Sequence, residues 1–253
     1  MIRLDNVHFA IDDTEILRGI TVAWAPRMLH GIVGPNGSGK STLLKNICRI
    51  WKPRSGVVHI NNQDCRNIPR KVLSAMVTLV PQNTSISFPI SVYEMVSFGR
   101  HPHLGRFEGL RKLDRDRIEW SLKETHIYEL KDRNINELSG GEGQLAIIAR
   151  ALATEASIIL LDEPTSGLDI HHTLTIMELL GRLKAQGKTI VATLHDLNLA
   201  RRFCDTITIV NNGMIAFTGP PSEAFEAQRI RDVFSVNVKE ITSDSKKFLY
   251  FYP

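Results

Sequence analysis

Residues 29–42 run Leu29-His30-Gly31-Ile32-Val33-Gly34-Pro35-Asn36-Gly37-Ser38-Gly39-Lys40-Ser41-Thr42. The first five read as a buried strand that runs directly into Gly34. From there the residues match GxxxxGK[ST] at every required position. Leu43, Leu44, Ile47, Ile50 and Trp51 follow at helical spacing and give one apolar face. Strand, glycine-rich turn and amphipathic helix in this order make a phosphate-binding device. The glycines let the backbone curl until successive N–H groups face inward as an anion nest. The helix then starts beneath the phosphates and adds the positive end of its dipole. Lys40 supplies a movable cation for β and γ phosphates, and the Ser41 hydroxyl is a hard-oxygen ligand suited to Mg²⁺.

Upstream, the alternation of Ile2, Leu4, Val7 and Phe9 and the turn residues Asp12-Asp13 suggest an N-terminal hairpin, with Ile16-Leu17 and Val22 on its second strand. Downstream, Pro53 and Gly56 end the helix, Val57–Ile60 resumes as strand, and Val77–Val80 is a further strand stopping at Pro81. From about residue 83 to Leu138 the chain is richer in charge and loop signals. Helical patterns at Val92–Phe98 and Asp114–Thr125 mark it as a helical insertion. The sheet returns at Ile158–Leu161, Thr189–Thr193 and Thr206–Val210, separated by helical segments at 142–153, 172–185 and 197–203. Alternating strands and helices predict a largely parallel sheet with crossover helices, and Asn212-Gly213 marks a late hairpin. The expected class is α/β with a helical subdomain.

Ile158–Leu161 deliver Asp162 and Glu163 to a strand end. A carboxylate beside the phosphate loop can hold Mg²⁺ through its water shell. Its neighbour can act as general base on the attacking water, worth roughly 10² to 10⁴ in rate.

Composition narrows the classes. Lys plus Arg number 31 and Asp plus Glu 27, so the net charge of +4 is too mild for a nucleic-acid binder, and no such partner is expected. At 43% hydrophobic and 23% charged the chain is ordinary globular material. The strongest aliphatic run, Ile158-Ile159-Leu160-Leu161, is far short of the roughly 20 residues a membrane span needs. Met-Ile-Arg-Leu-Asp at the start does not read as a secretory signal. Cys48, Cys65 and Cys204 form no CxxC pair and read as reduced packing residues. A soluble intracellular protein is expected.

The chain resembles the ATP-binding cassettes of ABC transporters. Leu138-Ser139-Gly140-Gly141-Glu142 looks like their signature motif and stands between the phosphate loop and Asp162-Glu163, as the family requires. Gln82 resembles the Q-loop glutamine, Ser166-Gly167-Leu168-Asp169 the D-loop and His195 the switch histidine. The resemblance implies a P-loop NTPase (RecA-like) core with an N-terminal antiparallel β-subdomain, formed by residues 1–82 and 155–253. It also implies an inserted α-helical signature subdomain at 83–154. ATP and Mg²⁺ are the implied ligands, and 1–253 is read as one ABC ATPase domain. The phosphate loop, Gly34 to Thr42, would hold the nucleotide. Ser41, Gln82 and Asp162 would hold the Mg²⁺. Glu163, His195, Gln82 and Lys40 would act in hydrolysis. Ser139, Gly140, Gly141, Glu142 and Asp169 would meet the nucleotide of a second copy in a two-ATP sandwich. Independently of the resemblance, Ser139 three residues before Glu142 is a capping box at a helix start, where free N–H groups can meet a phosphate.

Val92-Tyr93-Glu94-Met95-Val96-Ser97-Phe98-Gly99-Arg100-His101-Pro102-His103 is similar to cassettes serving importers of ferric siderophores, haem and cobalamin. His195–Ala200, Gly219-Pro220-Pro221 and Asp232-Val233-Phe234 look like the same branch. This implies an ATPase coupled to import, peripheral at the cytoplasmic face of the cell membrane. Its implied partners are permease subunits and, indirectly, an extracytoplasmic substrate-binding protein. The alternatives are a cassette for another metal or metallo-anion such as molybdate, or a non-transport ABC ATPase. Arg100, Arg106, Arg111 and Lys112 read as a basic loop, suited equally to a membrane face and to solvent. His101 and His103 are read as structural polar residues. Ile11 stands where many cassettes carry an adenine-stacking tyrosine. Phe9, two residues earlier on a regular strand, shares its face and is expected to substitute in part, with weak discrimination of ATP from GTP. Gly143 and Leu145 depart from the family's usual residues after the signature, without a functional account.

Overall fold

The computed structural model describes residues 1–82, 89–243 and 246–252. The sequence-predicted start of the helical insertion at residue 83 therefore falls outside the described residues. In chain order the elements are β1 (Ile2–Ile11), β2 (Thr14–Trp24), β3 (Leu29–Val33), α1 (Lys40–Ile47), β4 (Ser55–Ile60) and β5 (Gln63–Asp64). Next come α2 (Arg70–Met76), β6 (Val77–Val80), α3 (Val92–Ser97), α4 (Lys112–Glu124), α5 (Gly140–Ala153), β7 (Ile158–Leu161) and α6 (Ile170–Ala185). The chain closes with β8 (Thr189–Thr193), α7 (Leu197–Phe203), β9 (Thr206–Asn211), β10 (Met214–Gly219), α8 (Pro221–Ala224), α9 (Ala227–Phe234), β11 (Asn237–Ser243) and β12 (Lys246–Tyr252). The described residues form two compact units, 1–67 with 189–253, and 68–188.

In the first unit, β2, β1, β4 and β5 make an antiparallel sheet in that order. Strand β3 pairs in parallel with β8 on one side and β9 on the other, and β10 returns antiparallel to β9. Every residue of β3 and β8 is buried, the mark of strands covered on both faces. Asn212 (φ 48°) and Gly213 (φ 77°) turn the β9–β10 hairpin with two positive φ values, as a type I′ turn demands. Ile2, Leu4, Leu17, Ile20, Trp24, Leu29, Ile32, Leu43, Leu44 and Ile60 are fully buried and form this core. Two polar groups within it are paired. The Trp24 indole N–H donates to Thr208 Oγ1 (3.0 Å), and His30 bonds Thr206 Oγ1 and the Ala25 carbonyl. Burial holds the His30 pKa below its usual value.

Helix α1 is shorter than its apolar pattern predicts. It ends at Ile47, Arg49 adopts a left-handed φ of 53°, and Ile50 is half exposed. A left-handed residue just past a helix reverses the chain before any proline is reached. Trp51 is thereby removed from the helix face, and it stacks on Phe9 at 5.2 Å with the rings 4° from parallel.

In the second unit, β6 and β7 pair in parallel from Val77–Ile158 to Val80–Leu161. Helix α5 packs against α3 and α4, and Ala146, Ile148 and Ala149 of α5, Val92 and Val96 of α3 and Ile118 and Leu122 of α4 are fully buried. The architecture is α/β with a helical subdomain, as the sequence predicts. The free cysteines fit the packing role: Cys65 and Cys204 are buried, and burial pushes the Cys48 thiol up to about 12.

Candidate functional site

In the first unit the buried strand β3 ends at Val33 and delivers Gly34 against β9. A β-carbon on Gly34 would lie 2.0 Å from the Val210 carbonyl oxygen, so only glycine fits there. Gly39 precedes α1 with φ 104°, a left-handed conformation that aims the helix start at the loop. The Ser38 N–H donates to the Pro35 carbonyl (3.2 Å) and Gly213 N–H to the Ser38 carbonyl (3.1 Å), which closes the curl. Lys40 is buried, and its ammonium folds back to donate to the carbonyls of Gly34 and Pro35, both at 2.9 Å. Ser38 Oγ is buried without a partner among the described residues, while Asn36 and Gly37 form the exposed tip. An orphaned buried hydroxyl, an adjacent cation and an open glycine face fit an anionic ligand with several acceptor oxygens. Ser41 and the buried Thr42 open α1, and the Asn46 amide donates to the Thr42 carbonyl at 2.9 Å. His195 belongs to the same unit. Ile32 pairs in register with Thr193 and the Leu194 N–H donates to the Ile32 carbonyl (3.0 Å), so exposed His195 emerges where β3 turns into the loop. Asp196 then caps α7 through the N–H groups of Asn198 and Leu199.

In the second unit the parallel pair β6–β7 sets Gln82 beside Asp162 and Glu163. The Asp162 N–H donates to the Val80 carbonyl (2.8 Å), which carries the pairing one residue beyond the strand end, and Asp162 is buried. Glu163 holds a left-handed φ of 49°, and its carboxylate accepts a hydrogen bond from the Gln82 side-chain amide. A left-handed non-glycine residue stores strain of about 1–2 kcal/mol, a pattern common at functional sites.

Ser139 caps α5 reciprocally: its Oγ accepts from the Glu142 N–H, and the Glu142 carboxylate accepts from the Ser139 N–H at 2.8 Å. That N–H holds the Glu142 carboxyl below the usual carboxylate range. Asp169 caps α6 by accepting the His172 N–H (2.8 Å), which lowers its carboxyl in the same way. Gln82, Ser139, Gly140, Gln144, Gly167 and Leu168 are among the residues lining one cavity of about 390 Å³ in this unit. Gln144 Nε2 is buried without a partner among the described residues. Gly143 also borders the cavity, and Leu145 faces the core. Among the described residues no cluster of three or more His, Cys, Asp or Glu is arranged to hold a metal.

Two readings change. Phe9 does not share a face with Ile11, because β1 shifts register between Phe9 and Ala10; Phe9 is 8% exposed against Trp51, whereas Ile11 is 44% exposed. Phe9 is therefore a core residue and presents no ring to a base. Arg100 is no part of a basic surface loop. It is 2% exposed, and its guanidinium donates to Asp114 (2.8 Å), Glu155 (2.8 Å) and the Ala153 carbonyl (2.7 Å). His103 Nε2 donates to the Thr154 carbonyl at 2.8 Å, so Arg100 and His103 together cap the end of α5. His172, which the sequence reading passed over, packs on Gly141; an acid three residues before a helical histidine was the only available signal.

The chain matches the family model described as ABC transporter over residues 17–166. It is 38% identical over 244 residues to the probable siderophore transport system ATP-binding protein YusV of Bacillus subtilis, spanning 96% of this chain and 88% of that protein. It is 36% identical to the ferric enterobactin transport ATP-binding protein FepC of Escherichia coli, over 87% and 82% of the two chains. A cobalamin import ATP-binding protein, BtuD of Halobacterium salinarum, is 35% identical, and the match spans 56% of that longer protein. Among solved structures, the cassette MJ0796 bound to ADP and Pi, a dimer, superposes with a TM-score of 0.76 at 30% identity, over 87% and 99% of the chains. No helix among the described residues is long and apolar enough to cross a membrane. The chain belongs to the ABC transporter family, as one of its ATP-hydrolysing cassettes.

Proposed function

We propose that this chain powers import of an iron complex, a ferric siderophore or haem, or of cobalamin, by docking on a membrane permease at the cytoplasmic face. One observation carries the reading: relatives named for transport of siderophores and ferric enterobactin align over 87–96% of the chain. A second copy completes the ATP sites, and an extracytoplasmic binding protein delivers cargo to the permease. Residues 83–154 serve as the signature subdomain of the single cassette.

Backbone N–H groups of the 34–42 loop and the Lys40 ammonium bind the β and γ phosphates. Glu163 takes the proton of the attacking water as its oxygen bonds to the γ-phosphorus and the bond to the ADP oxygen breaks. Gln82, already donating to that carboxylate, ties the base to the turn after β6. His195, at the exit of β8, donates to the γ-phosphate oxygens. Ser139, Gly140, Gly141 and Glu142 present the capped start of α5 to the partner copy's nucleotide, with Asp169 beside them. Ser41, Gln82 and Asp162, whose oxygens are hard ligands, would hold Mg²⁺, which would supply neutralisation of the phosphate charge.

The test is capture of tagged Glu163→Gln protein with Mg-ATP from detergent-solubilised native membranes. A polytopic membrane protein in equal numbers, encoded with a binding protein for iron complexes or cobalamin, is expected. Recovery of soluble partners only would favour a non-transport cassette. Ser139→Arg separately tests the two-copy site: turnover should vanish while nucleotide binding persists.

A further inference from the structure

His172 stands three residues beyond Asp169 in the first turn of α6 and makes two kinds of contact. Its backbone N–H donates to Asp169 Oδ1 at 2.8 Å, and its ring Nδ1 lies 3.0 and 2.9 Å from the two carboxylate oxygens. The ring therefore fixes the direction of the Asp169 carboxylate. Its other edge rests on the start of α5. A β-carbon on Gly141 would fall 2.1 Å from His172 Cδ2 and 2.3 Å from Cγ, so the ring occupies the space a side chain would need there. Beside it, Leu168 Cδ2 reaches to 3.9 Å from the corresponding position on Gly140. His171 meets the His172 ring edge-on at 5.5 Å.

We propose that His172 is a positioning residue for ATP hydrolysis. Its ring joins the Asp169 turn to the Ser139-Gly140-Gly141 start of α5, so that both are offered to a second copy of the chain as one preset surface. The absence of a side chain at Gly141 then has a cause within the same chain: the histidine ring fills that space. Presetting matters because small misplacements of groups acting on a reacting phosphate cost large factors in rate. The inference rests on the two-copy reading above. His172 contacts Asp169, His171 and Gly141, so the chain's own nucleotide affinity should not respond to it.

The test compares His172→Leu, which keeps bulk and loses the donor, with His172→Asn, whose amide N–H replaces Nδ1 toward Asp169. His172→Leu is expected to lower kcat at least tenfold with nucleotide affinity within twofold of the parent. His172→Asn should return kcat to within threefold. Should His172→Leu not fold, His172→Gln, whose donor lies one bond too far along the chain, takes its place. In the Glu163→Gln background, ATP should drive dimers on a sizing column, and adding His172→Leu should raise the ATP concentration required. A parental kcat in His172→Leu, or equal losses in the Leu and Asn variants, would overturn the inference. So would unchanged dimerisation of the double variant. If Glu163→Gln alone stays monomeric in ATP, the two-copy reading falls and this inference with it.

Discussion

Replacing Arg100 by methionine should be among the most destabilising single changes in the second unit, although Arg100 touches no residue assigned to hydrolysis. The guanidinium is 2% exposed and makes three charge-assisted hydrogen bonds: to Asp114, to Glu155 and to the Ala153 carbonyl. Methionine fills much of the volume but leaves the buried Asp114 carboxylate with the Arg111 N–H (3.0 Å) and without its cation. Stripping one partner from a buried pair costs about 3–5 kcal/mol. Glu155 adds little, because it is a third exposed and keeps Arg117 at 2.8 Å. A loss of about 4 kcal/mol is a large part of a typical domain's 5–15 kcal/mol. The pH dependence gives a second check. Burial pushes the Asp114 carboxyl up, but the Arg111 N–H and the Arg100 guanidinium outweigh it and leave it below the usual range. A depressed folded pKa stabilises above the unfolded value of about 3.9, and that contribution disappears as pH falls through the folded value. Urea unfolding followed by circular dichroism should therefore show the full gap at pH 7 and a narrowing one only as pH falls below about 3.9. Arg100→Met/Asp114→Leu should recover part of the loss. A gap under about 1 kcal/mol at pH 7 would refute this account of Arg100.

Phe9→Ala should cost about 3–5 kcal/mol through loss of the Trp51 stack, yet leave the ATP:GTP preference within twofold in competition binding. A changed base preference would show that Phe9 meets the base after all. Glu163→Gly should raise the urea midpoint, by about 1 kcal/mol of stability, while abolishing phosphate release, because glycine adopts the left-handed φ without strain. Cys48, whose thiol burial pushes up, should resist alkylation in the native protein at pH 8, because the reactive thiolate is scarce there. Mass spectrometry after iodoacetamide with and without urea reads this directly.

The segments legible in the sequence are those whose signals are local. The strands 29–33, 77–80, 158–161 and 189–193 and the helix 197–203 stand where predicted, because each couples an apolar run or period to punctuation within a few residues. The phosphate loop was legible for the same reason, its nine residues being contiguous. The C-terminal hairpin of β11 and β12 and the short helices α2, α8 and α9 escaped, since their apolar patterns are brief and their boundaries carry weak signals. Tertiary structure alone decided which groups meet. A register shift in β1 and a left-handed Arg49 turn Phe9 and Trp51 toward each other and away from the roles their spacing suggested. Arg100 reads as a surface charge until the end of α5 and Asp114 close over it. Gln82 and Glu163, or Gly141 and His172, become neighbours only when strands pair and helices pack. Composition and periodicity report what each residue prefers locally, whereas the partner of a buried charge or a ring is chosen by which distant segment occupies the adjoining space.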